Sequence, residues 1–286
     1  MNNILVTGAD GQLGSELQVL SHEYPNYTFF FTDKDTLDIT DKVAIAHFCT
    51  KNQINSILNC AAHTAVDKAE NEETALCDAI NHKAVAHISA ISKEQNIKLI
   101  HVSTDYVFDG KNHKAFIESD AVNPINVYGK TKSLGEKALI ENKPENSIII
   151  RTSWVYSSFG NNFVKTMLKL AQSRDILNIV ADQIGTPTYA HDLAKTMLAI
   201  LPKINNKEVE IYHYSNEGIC SWYDFAFEIF NQTHTSCKVL PIESKDYPTP
   251  APRPLFSLLN KAKIKKDFGI AIPHWKEALS DCLSKL

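Results

Sequence analysis

Tyr128 and Lys132 stand four positions apart in "NVYGKTKSLGEKA", residues 126–138. At that spacing on a helix the two side chains share one face. A free phenol has a pKa of about 10. An ammonium beside it favours the phenolate and lowers that value. A shift of about 3 units asks for about 4 kcal/mol of differential interaction. A phenol tuned in this way can protonate an alkoxide as it forms from a ketone. Y-x-x-x-K also occurs by chance on solvated helices, so the surrounding sequence has to decide.

Two other stretches supply context. "HVSTDYVFDG" puts Ser103, Thr104 and Asp105 at the end of a β-rich run. In doubly wound sheets that end of a strand is where ligands bind, and a threonine hydroxyl there can polarise a carbonyl beside Tyr128. "TGADGQLG" follows the first apolar run and spaces Gly8, Gly11 and Gly14 as G-x-x-G-x-x-G. One glycine makes a tight turn, one admits a pyrophosphate to the backbone, and one lets helix pack on strand. The helix that follows offers free N–H groups and a partial positive charge to phosphate. Asp33 closes the next β-rich run, nineteen positions after Gly14. A carboxylate there accepts from ribose hydroxyls, which favours NAD(H); the other reading is a strand-end turn residue. Lys34 beside it would suit a 2′-phosphate, so NADH and NADPH both stay open.

The elements that must hold these groups alternate. "NILVTG", "YTFFFTD", "INSILNCAA", "IKLIHVST" and "SIIIRTSWVY" predict strands. Helices are predicted over 12–23, 41–51, 72–95 and 126–142 from apolar residues at spacings of three and four. Strands alternating with helices predict an α/β fold, a doubly wound parallel sheet of Rossmann-like type with helices on both faces. Residues 1–155 are expected to form a dinucleotide-binding domain, to which segments near 176–215 can add. Residues 156–286 are expected to form mainly a smaller α/β substrate-binding domain. Helices are predicted there over 161–173, 190–201 and 221–231, the first with Phe163, Met167 and Leu170 as a core stripe. "YPTPAPRP", residues 247–254, has four prolines in eight positions and excludes a regular helix.

Bulk properties narrow the class. The chain has 286 residues, 44% hydrophobic and 22% charged, which is ordinary for a globular protein. A net charge of −4 gives no reason to expect nucleic acid or an anionic membrane as partner. No apolar run approaches the roughly 20 residues of a membrane helix, and the first residues do not read as a signal peptide. The six cysteines form no C-x-x-C or zinc spacing, so free thiols in a reducing cytoplasm are expected and no metal.

Taken together, the motifs resemble the extended short-chain dehydrogenase/reductase superfamily, and within it the dTDP-4-dehydrorhamnose reductases. The likeness runs through "GADGQLG", "NCAAHTAVDKAE", "VSTDYVF", "NVYGKTKSLGEKA", "RTSWVY", "GNNFVKTML", "DQIGTPT" and "YPTPAPRP". The first and fourth are superfamily features, whereas "AAHTAVDKAE", "RTSWVY" and "PTPAPRP" are more specific. The resemblance implies reduction of the C4 keto group of a dTDP-linked 4-keto-6-deoxy sugar by NADPH or NADH. It implies that Gly11, Gln12 and Leu13 form the phosphate turn. Asp33 would lie at the ribose and Asp38 and Ile39 near the adenine, with Ala62, His63 and Thr64 along the cofactor groove. It makes Tyr128 and Lys132 catalytic, with Lys132 also holding the nicotinamide ribose. Thr104 and Asp105 would meet the sugar, Trp154 the substrate and Arg253 its diphosphate. Each has a plainer reading: His63 as a strand-end filler, Asp105 as a turn residue, Trp154 as core, Arg253 as a surface residue fixed by prolines. Some relatives are described as magnesium-linked dimers through acidic residues. Here His191 stands at one such place, with Asp192 beside it, so the metal is not carried over and a homodimer stays open. A 4,6-dehydratase would need a second carboxylate after Asp105, where Tyr106 stands. A more distant likeness, to the regulatory subunit of methionine adenosyltransferase, implies a binding module without turnover.

Overall fold

The computed structural model describes residues 2–286. The first elements are β1 (Asn2–Thr7), α1 (Gln12–Ser21), β2 (Tyr27–Thr32), α2 (Lys42–Lys51) and β3 (Ser56–Asn59). Next come α3 (Val66–Glu70), α4 (Thr74–Asp78), a π-helical turn (Ala79–Lys83), α5 (Ala84–Glu94), β4 (Lys98–Thr104), α6 (Val127–Asn142) and β5 (Ser147–Thr152). The remainder holds β6 (Val155–Tyr156), α7 (Phe163–Ala171), β7 (Ile176–Val180), β8 (Ile184–Gly185), β9 (Thr188–Tyr189) and α8 (Ala190–Ile200). It ends with β10 (Glu210–His213), β11 (Cys220–Ser221), α9 (Trp222–Gln232), β12 (Lys238–Ile242), α10 (Ala262–Phe268) and α11 (Trp275–Leu283).

Six strands form one parallel sheet in the order β10-β5-β4-β3-β1-β2. Strand alternation sorts its side chains into two cores. Ile4, Val6, Leu58, Ile100, Ile148 and Ile150 meet Leu13 and Leu17 of α1, Leu193 and Met197 of α8 and Ile264 of α10. Leu5, Ile57, Leu99 and Ile149 point the other way, onto Ile45 of α2, Ile88 of α5 and Leu139 of α6. The chain passes from β1 outward to β2, then back across to β3. The reversal leaves a crevice at the carboxyl ends of β1 and β3, the switch point where such sheets take ligands.

A third core lies beyond that crevice. Val164 and Met167 of α7, Phe225 and Ile229 of α9, and Trp275 and Leu279 of α11 enclose Tyr156 and Tyr189, with Phe163 and Leu170 packed against them. The two-stranded pair β12-β7 lies against α9. Residues 247–254 contain no helix or strand, as four prolines require.

Two predicted elements differ from those observed. The helix expected over 72–95 is broken by the π turn at Ala79–Lys83, a common mark of functional sites. Its cause is Asn81, whose amide holds the backbone of His63: the N–H of His63 donates to Oδ1 at 2.9 Å and Nδ2 donates to the His63 carbonyl at 3.0 Å. The strand expected over 147–156 stops at Thr152. Trp154 adopts φ 48° in the left-handed region, a strained choice for a bulky residue. Its carbonyl accepts from Thr188 at 3.2 Å, which sends the chain out of the sheet and into β6. Among the described residues no helix is long and apolar enough to cross a membrane.

Candidate functional site

The glycine-rich turn opens the crevice. Gly8 sits at φ +68°, and a Cβ there would lie 2.7 Å from the Ala61 Cα; at Gly14 it would lie 2.3 Å from the Gly8 carbonyl. These contacts let the turn fold tightly between β1 and β3 and press α1 onto it. Gly11 caps α1 without a side-chain bond, so the first N–H groups of the helix stay free for an anion.

The Tyr128–Lys132 pair is placed by close packing. Asn126 caps α6 by accepting from the Gly129 N–H at 2.7 Å, worth about 1 kcal/mol for such a cap. Gly129 then lets α6 lie directly on the Tyr106 carbonyl, where a Cβ would come within 2.1 Å, and Gly135 does the same on the Asn81 carbonyl. The helix is thereby set against the end of β4. Tyr106 meets Tyr128 edge-on at 5.7 Å.

A cavity of about 570 Å³ collects these groups. One wall holds Gly8, Asp10, Gly11, Gln12, Leu13 and Gly14; the floor holds Cys60, Ala62, Thr64, Ser103, Thr104 and Asp105. Tyr128 and Lys132 line it beside Tyr106, and Trp154, Val155, Gly160, Asn161, Asn162 and Trp222 close the far side. Trp154 and Trp222 stack at 3.7 Å and 12°, and Phe163 leans on Trp222 at 4.6 Å.

The electrostatics differ from the expectation for Tyr128. Burial pushes its phenol above the ordinary range; the Thr104 hydroxyl opposes this and the Asp105 carboxylate adds to it. Lys132 does not supply the expected lowering. It is buried, it donates from Nζ to the Val102 carbonyl at 2.6 Å, and burial brings its own pKa down to about 8. Desolvation outweighs the charge pair at these buried positions. Asp105 is raised to about 6 by burial, against the hydrogen bond its Oδ1 accepts from the Thr104 hydroxyl at 3.0 Å. Its Oδ2 and the Ser103 Oγ are buried with no protein partner. Cys60 is pushed up to about 12 by burial and serves as a neutral wall.

Five expected site residues do not line the cavity. The Asp33 carboxylate accepts from the N–H groups of Asp35 and Thr36 and from the Thr36 hydroxyl, each at 2.9 Å. Asp38 makes the same kind of local turn with Thr40. Ile39 is buried in the core beside Leu37 and Ile45. His63 turns its ring to Glu73, Nε2 to Oε2 at 2.6 Å. Arg253 grips Asp67 with two nitrogens, at 3.0 and 2.7 Å. Asp33 neighbours Asp10 on the cavity's rim, and that second carboxylate raises the Asp10 carboxyl. His191 lies 3.0 Å from the buried Glu16 carboxylate, and Asp192 accepts from Asn216.

Other residues line the site without a role given to them in the sequence: Cys60, Asn161, Asn162 and Trp222. The stretches "NCAAHTAVDKAE" and "GNNFVKTML" had included the first three, as part of a resemblance rather than as a role.

Comparison with known proteins agrees with this geometry. The whole chain, residues 1–286, matches the family described as RmlD substrate binding domain. A dTDP-4-dehydrorhamnose reductase of Aggregatibacter actinomycetemcomitans is 42% identical over 98% of each chain. The crystal structure of a dTDP-4-dehydrorhamnose reductase from Clostridium acetobutylicum superposes with a TM-score of 0.93 at 41% identity, covering 99% of this chain and 98% of that one. The dTDP-4-dehydrorhamnose reductase of Bacillus anthracis, solved in complex with NADP, gives a TM-score of 0.93 at 35% identity over the full length of both chains. With the family match and these relatives all extending along the full fold, the chain belongs to the RmlD family of dTDP-4-dehydrorhamnose reductases.

Proposed function

We propose that this chain reduces the C4 keto group of dTDP-4-dehydro-β-L-rhamnose with NADPH or NADH to give dTDP-L-rhamnose, a precursor of surface polysaccharide. The observation that carries the reading is that Tyr128, Thr104 and Lys132 share one cavity with the glycine-rich turn and an aromatic far wall.

When bound, the reduced nicotinamide supplies the hydride. The turn of Gly8, Gly11, Gln12, Leu13 and Gly14 holds its pyrophosphate at the open end of α1, and Ala62 and Thr64 flank it. Asp33, with Asp38 and Ile39 nearby, marks the adenosine end; there Asp10 and Asp33 present two acids and Lys34 one base. Tyr128 Oη gives its proton to the oxygen at C4 as negative charge grows there. A phenol kept neutral by burial is a stored proton, available across the working pH range. Thr104, whose hydroxyl otherwise donates to Asp105 Oδ1 at 3.0 Å, turns that proton to the same oxygen. Lys132, held by the Val102 carbonyl, supports the nicotinamide ribose and the charge balance around the phenol. Asp105 and Trp154 meet the sugar. The Arg253 fork reaches a diphosphate only after exchanging Asp67 for it.

In this reading residues 1–155 with α8, β10 and α10 form the cofactor unit, and most of the rest of 156–286 forms the sugar-nucleotide unit. The free thiols suit a reducing cytoplasm.

Product identification tests the proposal. The chain is incubated with NADPH or NADH and with dTDP-glucose already treated with a 4,6-dehydratase, with or without a 3,5-epimerase. Formation of dTDP-L-rhamnose only when the epimerase is present supports it. A reduced sugar nucleotide formed equally well without the epimerase would make this a reductase of a different keto sugar. No reduced product despite cofactor binding would favour a binding module.

A further inference from the structure

The two walls of the cavity are joined by side chains that the reaction itself does not use. Gln12 is the first residue of α1, directly after the Gly11 cap. Its Oε1 accepts from Asn162 Nδ2 at 3.0 Å, and its Nε2 donates to the Val155 carbonyl at 3.4 Å. Asn162 is at the same time the cap of α7, its Oδ1 accepting from the Lys165 N–H at 3.2 Å, and its Nδ2 also donates to the Ser157 carbonyl at 2.7 Å. One turn along α1, the buried Glu16 carboxylate accepts from the Ser157 hydroxyl at 2.6 Å. Gly160 leaves room for this contact: a Cβ there would lie 3.1 Å from Gln12 Cγ. The residue after Asn162 is Phe163, which supports Trp222, which stacks on Trp154.

We propose that the Gln12–Asn162 amide pair is a positioning link that couples occupancy of the glycine-rich turn to affinity at the sugar-nucleotide wall; this rests on the reductase reading above. The physical reason is ordering. An anion on the free N–H groups of Gln12 and Leu13 fixes the backbone of Gln12 and with it the side chain that grips Asn162. The cap of α7 and the aromatic stack behind it are then ordered before the sugar nucleotide arrives. A second ligand that meets an already ordered wall binds more tightly, and the effect must run equally in both directions.

The test measures the Kd of dTDP by calorimetry on the full chain, with and without saturating NADP⁺. The same titration is repeated on Asn162→Ser, which keeps a hydroxyl to cap α7 and removes the amide donor. It is also repeated on Gln12→Met, which keeps the side chain's length and removes both amide bonds. The expected wild-type result is dTDP binding tightened roughly five- to tenfold by NADP⁺, within the usual range of such couplings. In both variants that ratio falls to within about twofold. Tryptophan fluorescence gives a second readout, because two of the three tryptophans form the stack. NADP⁺ alone changes the emission of wild type and leaves that of the variants flat. A merely structural role would weaken both ligands and leave the ratio standing, so a retained ratio in either folded variant overturns the link, as does a wild-type ratio of one. Failure of dTDP to bind in either condition overturns the reductase reading, and this inference with it.

Discussion

The two sides of the cavity are built by different means. The side with the glycine turn, Thr104 and Tyr128 rests on strand ends of one parallel sheet, and each group is set within a few residues of an element boundary. The side with Trp154, Asn162 and Trp222 is assembled from a strained turn, a capped loop and the first residue of a helix. Those pieces come from places up to seventy residues apart and are fixed by stacking and by bonds to α1. The proposed chemistry therefore rests on one sheet, and the proposed recognition wall on pieces gathered from several elements. In a family whose relatives share the sheet, substrate choice is expected to vary on the second side.

The largest way to break that contrast is Tyr128→Phe. Removing a proton donor typically costs 10²–10⁴-fold in rate, so turnover should fall by that order while NADPH affinity, measured by fluorescence titration, holds within a few-fold. Survival of most turnover would move the proton donor elsewhere. Next comes Trp222→Ala on the opposite wall. Losing the stack should raise KM for the sugar nucleotide roughly tenfold with kcat nearly unchanged, the pattern of lost ground-state binding. A fall in kcat of the Tyr128→Phe size would erase the distinction between the two walls.

Lys132 gives the third test. Its pKa of about 8 means that the buried ammonium loses its proton within the accessible range. The profile of kcat/KM should decline above about pH 8; a flat profile to pH 10 would show that the charge on Lys132 is not needed. The smallest effect concerns Asp105. Its carboxyl is raised to about 6 from an ordinary 3.8. A raised acid contributes stability below the unfolded value and loses it as pH climbs through the folded one. Asp105→Asn should therefore raise Tm at pH 7.5, by roughly 3 kcal/mol of stability at most, and the gain should nearly vanish near pH 4. An equal gain at both pH values would refute the titration.

What could be read in the sequence follows the same division. The sheet was legible because its strands alternate with helices and its turns are written in glycine. Tyr128 and Lys132 were legible because helical spacing alone puts them together. Trp222 was not, since nothing local says that helix α9 begins against Trp154. Asp33 and Asp38 have a local role that their strand-end position did not announce: each carboxylate reaches N–H groups two or three residues on and closes an Asx turn. Arg253 meets Asp67 across 186 positions, a distance no local pattern spans. Lys132 was placed correctly on its helix yet given the wrong effect, because sequence shows neighbours and not the desolvation that governs a buried charge.

The most direct test of the whole reading follows the hydride. The chain is supplied with dTDP-4-dehydro-β-L-rhamnose and with nicotinamide cofactor deuterated at both positions of the reduced ring carbon, and the product is examined by proton NMR. Deuterium at C4 of the sugar, and nowhere else, is the result this account predicts. Consumption of reduced cofactor with only hydrogen at C4 would contradict it.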